Sequence, residues 1–349
     1  MTKTPLRTCI VGCGRPGGTP GATGGGIAHA HVKAYLSYPG AELTAVADIV
    51  PENAAAFQAE YGARRSYTDY LEMLRTEKPD MVSLCVWPHL HAEMTIAAAE
   101  AGARAVYCEK PMALTFADAQ RMVEVCKTHG TLLCFNHQRR YAAPFVRARE
   151  LLRAGGIGAL RRIEGACPNL YDWGTHWFDM MFFFNDETPA EWVMGQVDPV
   201  DGPTVFGVKM ERQGVAWVGF ANGITGTMRC RPTKPLEAHV RLVGDEGVIE
   251  VGLEFDPMLR TWMKGQTAWT PVDVPTCEWS GFGATVALSI HDALDALQAG
   301  REPQTSGAHA LKATELIFAT YESARRGRRI DLPLMLADDP RAAMLGGRP

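Results

Sequence analysis

A lysine at residue 110 occupies a position where a catalytic group could act. It stands between Glu109 and Pro111 and follows an apolar run, Ala103 to Tyr107, that is typical of a buried strand. Because proline has no amide to donate to a neighbouring strand, the strand must end there and leave Lys110 at its carboxyl end. Open parallel sheets bind ligands beyond the carboxyl ends of their strands. Lys110 is therefore either a solvated charge at a strand end or a group that takes part in chemistry.

A second group of residues with chemical potential begins at Asp172. His176 follows four residues later, across Gly174, and a strongly apolar segment continues the chain. At this spacing the aspartate and the histidine can share one face of a helix. An imidazole can accept or donate a proton near neutral pH, and a nearby ammonium would stabilise a developing alkoxide. Taken alone, His176 is typical of a core histidine; together with Lys110 and a dinucleotide-binding fold, it indicates an acid–base group.

Glycines after the first predicted strand indicate a nucleotide site. Gly12 and Gly14 stand at a strand-to-helix turn, where backbone amides can approach a pyrophosphate. The stretch 16–26 is interpreted as a glycine-rich insertion that postpones the helix to Ile27. With the insertion set aside, Asp48 falls close to the position, about 20 residues after the glycines, where an acid binds the ribose hydroxyls. A carboxylate there disfavours a 2′-phosphate, so NAD is predicted rather than NADP; the alternative is that Asp48 merely ends a strand.

The elements that would position these residues change character midway along the chain. In the first half, short strands alternate with amphipathic helices, which predicts a doubly wound parallel Rossmann sheet. After about residue 155 the predicted strands are closely spaced and several are separated by hairpin signals; one of these strands covers 205–211. This pattern predicts an α+β domain with a large, mainly antiparallel sheet. The predicted class is α/β. The predicted divisions are an NAD-binding domain over 1–135, a substrate and oligomerisation domain over 136–335 that includes the last two helices, and a poorly ordered tail over 336–349.

Composition narrows the classes of partner. Hydrophobic content of 46% and charged content of 21% are those of a globular protein, and a net charge of −4 gives no reason to expect nucleic acid or an acidic membrane. No apolar stretch approaches the ~20 residues of a membrane span and no signal-peptide region is evident, so a cytoplasmic location is expected. The nine cysteines are scattered without a Cys-x-x-Cys pair, and the two His-x-His pairs lack an obvious third ligand. No metal site is expected.

Taken together, the motifs resemble those of the glucose–fructose oxidoreductase/inositol dehydrogenase/MocA (Gfo/Idh/MocA) family. The matches extend from about residue 5 to 335 and comprise Val11-Gly12-Cys13-Gly14, His31, Asp48, Pro88 with His91, Glu109-Lys110-Pro111, Asn136, Asp172-x-Gly-x-His176, Gly244-Asp245-Glu246-Gly247, Ser306-Gly307 and Leu332-Pro333. The resemblance implies NAD(P)-linked chemistry on sugars or cyclitols, with Lys110, Asp172 and His176 as the catalytic residues. The insertion at 16–26, which leaves Ala28 where many relatives have glycine, departs from the family.

The motifs and the resemblance together predict two sets of binding residues. Those expected to bind the cofactor are Gly12, Gly14, Arg15, Ile27, Ala28, Asp48, Trp87, Pro88, His91, Glu109, Lys110 and Asn136. Those expected to bind the substrate are Lys110, Gln138, Arg139, Tyr171, Asp172, Trp173 and His176. Aromatic faces and polar tips suit a polyhydroxylated ring, and Arg139 with Arg140 could pair with a substrate carboxylate or phosphate. The alternative for each side chain is ordinary packing.

Three functions remain open from the sequence. The preferred one is oxidation of a secondary alcohol of a sugar, glycoside or cyclitol, in which His176 takes the hydroxyl proton, Lys110 stabilises the oxygen and NAD accepts the hydride. The alternative is a redox-neutral enzyme that retains NAD and catalyses elimination, epimerisation or glycoside cleavage through a transient ketone. The third is a non-catalytic NAD(H)-sensing regulator, against which the intact catalytic residues argue. A broad sheet must cover its outer face, so a homodimer or homotetramer is expected.

Overall fold

The computed structural model describes residues 4–15, 17, 19–21, 26–231, 239–253, 256–274 and 282–346. The chain forms two compact units. The first comprises Met1–Gln138 with Gly281–Leu311, and the second comprises Arg139–Ser280 with Lys312–Pro349. Each unit contains its own extended sheet.

The first unit is built on a six-stranded parallel sheet. Its strands are β1 (Leu6–Val11), β2 (Ala41–Ala47), β3 (Arg65–Tyr67), β4 (Met81–Leu84), β5 (Ala105–Cys108) and β6 (Leu132–Phe135). The connecting helices are α1 (Ala28–Ser37), α2 (Pro51–Tyr61), α3 (Tyr70–Glu77), α4 (Pro88–Glu100) and α5 (Phe116–His129). The spatial order β3-β2-β1-β4-β5-β6 changes direction between β1 and β4, which is where such sheets bind ligands. The predicted Rossmann fold is confirmed.

The second unit is built on a nine-stranded sheet. The elements that follow β6 in the chain are α6 (Ala143–Arg153), β7 (Leu160–Cys167), α7 (Gly174–Phe184), β8 (Ala190–Asp198), β9 (Thr204–Val205), β10 (Val208–Lys209), β11 (Gln213–Phe220), β12 (Thr225–Cys230), β13 (Val240–Gly244), β14 (Gly247–Val251), β15 (Leu259–Met263), β16 (Thr270–Pro271), α8 (Phe282–Ala299), α9 (Gly307–Arg326), β17 (Ile330–Asp331) and α10 (Pro340–Leu345). The sheet order is β16-β15-β14-β13-β7-β12-β11-β8-β17, and β7 with β12 is its one parallel pair. The prediction of a large, mainly antiparallel sheet is confirmed.

Helix α8 belongs to the first unit, whereas the predicted domains placed it in the second. Its side chains Val286, Ile290 and Leu294 share a buried core with Val32 and Tyr35 of α1. An amphipathic pattern reveals that a helix has a buried face but not which element covers that face. The sequence order of the helix therefore suggested the wrong neighbour.

Two further segments differ from the sequence expectation. The segment predicted as one strand over 205–211 is instead part of a tight hairpin of β9 and β10. Phe206 and Gly207 form the turn between these two strands, because their φ angles are positive, at 49° and 75°. The tail that composition predicted to be poorly ordered contains α10. Asp339 caps this helix by accepting hydrogen bonds from the backbone amides of Arg341 and Ala342. Within the described ranges, no helix has the length and apolar character of a membrane span.

Candidate active site

The glycine turn after β1 brings Asp48 to the predicted nucleotide site. Gly12 has a φ of +85°, and a Cβ there would lie 2.6 Å from the carbonyl oxygen of Cys85, so a side chain cannot be accommodated. The amide of Gly14 donates to Asp48 Oδ2 at 2.9 Å, and the amide of Val50 donates to Oδ1 at 2.9 Å. Each carboxylate oxygen keeps further lone pairs that could accept ribose hydroxyls. The expected meeting of the glycine turn with Asp48 is thus present in the structure.

The basic groups near the end of β2 differ in how they are held. Arg64 pairs with Glu42, and Arg65 pairs with Glu77. Arg15, which follows the glycine turn, donates from Nε to Asn53 Oδ1 at 3.3 Å on the first turn of α2. Arg15 is therefore the basic residue that the glycine turn itself supplies near the predicted ribose site. The predicted residues Ile27 and Ala28 cap and begin α1.

The residues predicted around α4 fall into two environments. Trp87 is exposed and caps the helix, and Pro88 is its first residue. His91 is fully buried, with Nδ1 2.8 Å from the carbonyl oxygen of Pro111 and Nε2 3.0 Å from that of Val86. This ring ties the segment after β4 to the segment after β5. Its geometry favours a role in positioning these segments over the direct cofactor contact expected from the sequence.

Glu109 fixes the backbone of the turn that carries Lys110. Its Oε1 lies 2.9 Å from His31 Nε2 and accepts a hydrogen bond from Asn136 Nδ2 at 2.7 Å. Its Oε2 accepts from the backbone amide of Lys110 at 3.2 Å, and the residue is only 7% exposed. Burial acts to raise the pKa of Glu109, but the bonds from His31 and Asn136 and the charge of Lys110 outweigh burial and lower the pKa. The carboxylate is ionised and well held.

The hydrogen-bond network around Glu109 extends through the first unit. His31 Nδ1 lies 3.0 Å from Ser83 Oγ, which also contacts the hydroxyl of Tyr35 at 2.6 Å. On the other side, the hydroxyl of Tyr107 donates to Asn136 Oδ1 at 3.2 Å and lies 2.6 Å from Ser289 Oγ on α8. Sequence reasoning missed Ser83, Tyr35, Tyr107 and Ser289. Each lies within an apolar run or a helix, so no local signal distinguishes it from packing.

In the second unit, Asn169 shapes the turn that precedes α7. Its side-chain oxygen accepts hydrogen bonds from the amides of Asp172 at 2.8 Å and Trp173 at 3.0 Å. Its backbone oxygen accepts from the amide of Gly174 at 2.8 Å. Asp172 therefore lies just before the helix and His176 in its first turn. Their spacing had suggested that the two residues share one face of a helix, but in the structure they flank the start of the helix.

Arg139 lies against the candidate base. Its Nη1 is 3.2 Å from His176 Nε2, and its guanidinium lies 5.5 Å and 5.3 Å from the ring centroids of Trp173 and Trp177. A guanidinium can only donate, so Nε2 is the accepting nitrogen in this contact. Gln138 begins the same short 3-10 turn, Gln138–Tyr141, and is buried. Arg139 thereby orients the imidazole and directs its lone pair.

Arg140 does not fit the predicted role of pairing with a substrate anion. Its Nε and Nη2 bind the two carboxylate oxygens of Asp179 at 2.7 Å each, and Nη1 binds Glu187 at 2.6 Å. All three residues belong to the second unit, and Asp179 is fully buried on α7. This bidentate pair joins the 3-10 turn to α7. The prediction for Arg140 is wrong because its neighbouring sequence gave no sign of these acids.

Comparisons with known proteins match both halves of the chain. Residues 6–137 match the model of the oxidoreductase family with an NAD-binding Rossmann fold, and residues 168–250 match that of the GFO/IDH/MocA C-terminal domain. D-apiose dehydrogenase of Paraburkholderia graminis is 28% identical over 370 residues, with 97% of this chain and 93% of that protein covered. D-glucoside 3-dehydrogenase of Escherichia coli is 31% identical over 204 residues, with 52% and 55% covered.

A solved structure with a similar fold is that of levoglucosan dehydrogenase in complex with NADH and levoglucosan. The match has a TM-score of 0.79 and covers 95% of this chain and 100% of that one. Sequence identity is 20%, so this likeness establishes the fold alone.

Proposed function

The chain belongs to the Gfo/Idh/MocA family of oxidoreductases, and we propose that it is an NAD-dependent dehydrogenase acting on a secondary alcohol of a sugar, glycoside or cyclitol. The observation that carries the proposal is the turn of buried Glu109 and half-buried Lys110 at the carboxyl end of β5, on a sheet with the Rossmann strand order. The related enzymes named above act on D-apiose and on D-glucosides. Their substrates share the polyhydroxylated ring that the aromatic and polar side chains of the candidate site suit.

The residues of the first unit fit NAD. The positive φ of Gly12 and Gly14 and the absence of their side chains leave room for a pyrophosphate to approach the backbone of this turn. Asp48, held at the same turn, would hold the ribose hydroxyls. When bound there, NAD supplies the hydride acceptor for the alcohol carbon.

The proton chemistry is assigned to side chains of both units. His176 accepts the hydroxyl proton at Nε2, which is unprotonated in its contact with Arg139; the substrate hydroxyl takes the place of Arg139 at that lone pair. Lys110 stabilises the oxygen as negative charge develops on it. Asp172 binds a substrate hydroxyl or holds the ammonium. The assignment of Lys110, Asp172 and His176 to one reaction rests on the family resemblance of their two motifs.

The test is formation of NADH by the purified protein with a panel of D-apiose, D-glucosides, levoglucosan and myo-inositol. We expect NADH with at least one member, and its loss in Lys110→Ala and His176→Ala. Lys127→Ala is the matched control, since Lys127 is an exposed lysine at the end of α5 in the same unit. If glycosides are converted without net NADH while nicotinamide stays bound, the redox-neutral alternative replaces this proposal. If NAD binds but no substrate is converted at all, the regulatory alternative replaces it.

We also propose that the chain forms a homodimer or homotetramer through the sheet of its second unit. Met194 on β8 and Trp217 on β11 pair directly across the strands and are 50% and 49% exposed. Val215, two residues along the same strand, is exposed as well. Neighbouring exposed apolar side chains on one face of a sheet mark a surface that association would cover.

Light scattering at micromolar concentration tests this assembly. The wild-type chain should have at least twice the mass of one chain, and Trp217→Lys with Met194→Lys should shift it to the monomer. Leu36→Lys is the control, because Leu36 is an exposed apolar residue of the first unit. A monomeric wild type across this range would refute the proposal.

A further inference from the structure

We propose that Arg341, on the C-terminal helix α10, is a positioning residue for the turn that carries Asp172 and His176. The kinetic part of this inference rests on the proposed function, whereas its structural part does not. Arg341 lies in the segment that the composition of the sequence marked as a poorly ordered tail, yet it is 2% exposed. A buried arginine needs a reason, because the transfer of a charge out of water is costly unless neighbouring groups compensate it.

Arg341 touches the residue that immediately precedes Asp172. Its guanidinium carbon lies 5.2 Å from the ring centroid of Tyr171, which is itself fully buried. A cation over an aromatic face is attracted by the ring, and the attraction grows when both groups are removed from water. The stacked guanidinium therefore restrains the Tyr171 ring, and through the chain it restrains the position of Asp172.

The charges around Tyr171 place Arg341 within an acidic neighbourhood. Burial raises the pKa of Tyr171; the charge of Arg341 opposes that rise, and those of Asp172 and Asp339 add to it. Arg341 Nη2 also contacts Asp339 Oδ2 at 3.4 Å. The arginine thus offsets the negative charge of the carboxylates that act on Tyr171. Its loss would leave those carboxylates without this compensating charge beside the buried Tyr171.

A buried acid, Glu211, also braces the same turn. Glu211 is fully buried and accepts a hydrogen bond from the amide of Leu170 at 2.6 Å and another from the hydroxyl of Tyr321. Burial and Glu211 raise the pKa of Tyr321, and Arg341 opposes this rise. The charge of Arg341 therefore bears on Tyr171, within the 170–172 segment, and on Tyr321, which donates to Glu211. Glu211 holds the amide of Leu170, and Arg341 stacks on the adjacent Tyr171.

The C-terminal segment is docked by contacts that can be separated from those of Arg341. Arg325 on α9 donates from Nη1 to Asp338 Oδ2 at 2.7 Å, and Ala342 and Leu345 of α10 are buried. Arg325 holds the same segment as Arg341, but through ion pairs with Glu322 and Asp338 instead of a stack on Tyr171. Comparison of the two arginines therefore separates docking of the tail from positioning of the turn.

Hydrogen–deuterium exchange of the full chain tests the structural part without any substrate. The amides of Leu170, Asp172, Trp173 and Gly174 are all hydrogen-bonded, so their exchange reports on the turn. In Arg341→Met we expect these amides to exchange about tenfold faster, while amides of the first unit are unchanged. Arg325→Met should leave the turn as in the wild type. Equal exchange of the turn in Arg341→Met and Arg325→Met would overturn the proposal.

The kinetic part uses the same variants with a substrate that the wild type oxidises. Arg341→Met should lower kcat by about 10- to 100-fold, since a small displacement of a reacting group can cost that much, and should leave NAD affinity unchanged. Arg341→Lys should recover part of the slow amide exchange of the turn and part of the kcat, because lysine keeps the charge but cannot form the planar stack. A wild-type kcat in Arg341→Met would overturn the proposal.

Two controls keep the outcomes distinguishable. The melting temperature of each variant is measured to show that it folds. If Arg341→Met is unfolded, Arg341→Lys is used in its place. Wild-type exchange of the turn and a wild-type kcat in Arg341→Lys would then refute the proposal. If the wild type oxidises no sugar, the proposed function fails and the exchange experiment alone decides the role of Arg341.

Discussion

The turn that carries Lys110 and the helix that carries His176 are held in place by different forces. In the first unit, Glu109 receives hydrogen bonds from Asn136 and from the backbone of Lys110 and contacts His31, within a buried polar network. In the second unit, His176 stands on α7, whose 11 residues are all buried and mostly apolar. A polar network holds one group, and mainly apolar packing, supplemented by Arg139 and by the Arg140–Asp179 pair, holds the other.

This difference implies different weaknesses. A buried network depends on charge and on hydrogen-bond geometry, so it responds to pH and to isosteric substitutions. A packed, mostly apolar helix depends mainly on volume, so it responds more to truncation of its side chains than to pH. The two sites should therefore fail under different perturbations, although both serve one proposed reaction.

The largest effects should come from removal of the reacting groups themselves. Lys110→Ala and His176→Ala should each lower kcat by about 10²–10⁴-fold, the range for general acid–base groups and electrostatic donors. Both variants should fold normally and bind NAD within a few-fold of the wild type. The double variant should lose much less than the product of the two effects, because groups that act as one unit are not additive. Steady-state kinetics, calorimetry and melting curves provide the readouts.

A purely structural role for His176 would give a different result. If His176→Ala aggregates or melts far earlier while Lys110→Ala stays fully active, His176 is a core histidine and the catalytic assignment fails.

Removal of volume from α7 should give the largest change in stability. Phe178 is fully buried, and Phe178→Ala should destabilise the chain by about 3–5 kcal/mol through the cavity that it leaves. Urea unfolding at neutral and mildly acidic pH should give the same loss, since no titrating group is removed. Met335→Ala, at an exposed methionine, is the control and should change stability by no more than about 0.5 kcal/mol. A pH-dependent loss in Phe178→Ala would contradict the comparison.

A smaller and pH-dependent effect is expected in the network. Glu109→Gln keeps the shape of the side chain but removes its charge, and should cost about 1.5–3 kcal/mol at neutral pH. The folded pKa of Glu109 is lowered, so its contribution is fully present above the usual carboxyl pKa of 4.5 and is lost as the pH falls through the lower folded value. The difference between wild type and Glu109→Gln should therefore shrink below that pH. Urea unfolding across the range measures it, and a constant difference would show that Glu109 is not ionised in the folded chain.

The smallest effect concerns cofactor choice and involves the first unit alone. NAD should bind at least about tenfold better than NADP, a difference of ~1.4 kcal/mol, because Asp48 would face the 2′-phosphate with like charge. Calorimetric titration of the wild type and of Asp48→Ser measures it, and the variant should narrow the preference. If the wild type binds NAD and NADP equally, Arg15, which lies against α2, would be offsetting the charge of Asp48. Arg15→Ala would then restore the preference for NAD.

Local signals account for the parts of the fold that the sequence predicted well. The helices of the predicted alternating pattern include α2 and α5, whose ends are marked locally: Pro51 opens α2, Thr115 caps α5, and Gly62 and Gly130 adopt positive φ angles just after the two helices end. Asp48 and Lys110 were placed correctly at strand ends for similar reasons. These features depend on residues only a few positions away.

Two kinds of feature were not predicted: a turn within an apolar segment, and contacts that depend on distant residues. The glycine at 207 indicates a turn, but the apolar residues around it suggested a continuous strand. The partners of Glu109 come from α1 and from the segment after β6, and Arg341 meets Tyr171 from the opposite end of the second unit's sequence. A side chain that is buried by a remote element has no signature in its own neighbourhood.

The membership of α8 in the first unit has a consequence for how the chain is made. Until residues 281–311 have been synthesised, the core that α1 shares with α8 stays open and Tyr107 lacks Ser289. At typical rates of ~5–20 residues per second, the ribosome reaches that point about ten to thirty seconds after residue 138. For that interval the nascent first unit exposes apolar surface that a chaperone could bind. A fragment that stops at residue 138 would remain in this incomplete state permanently.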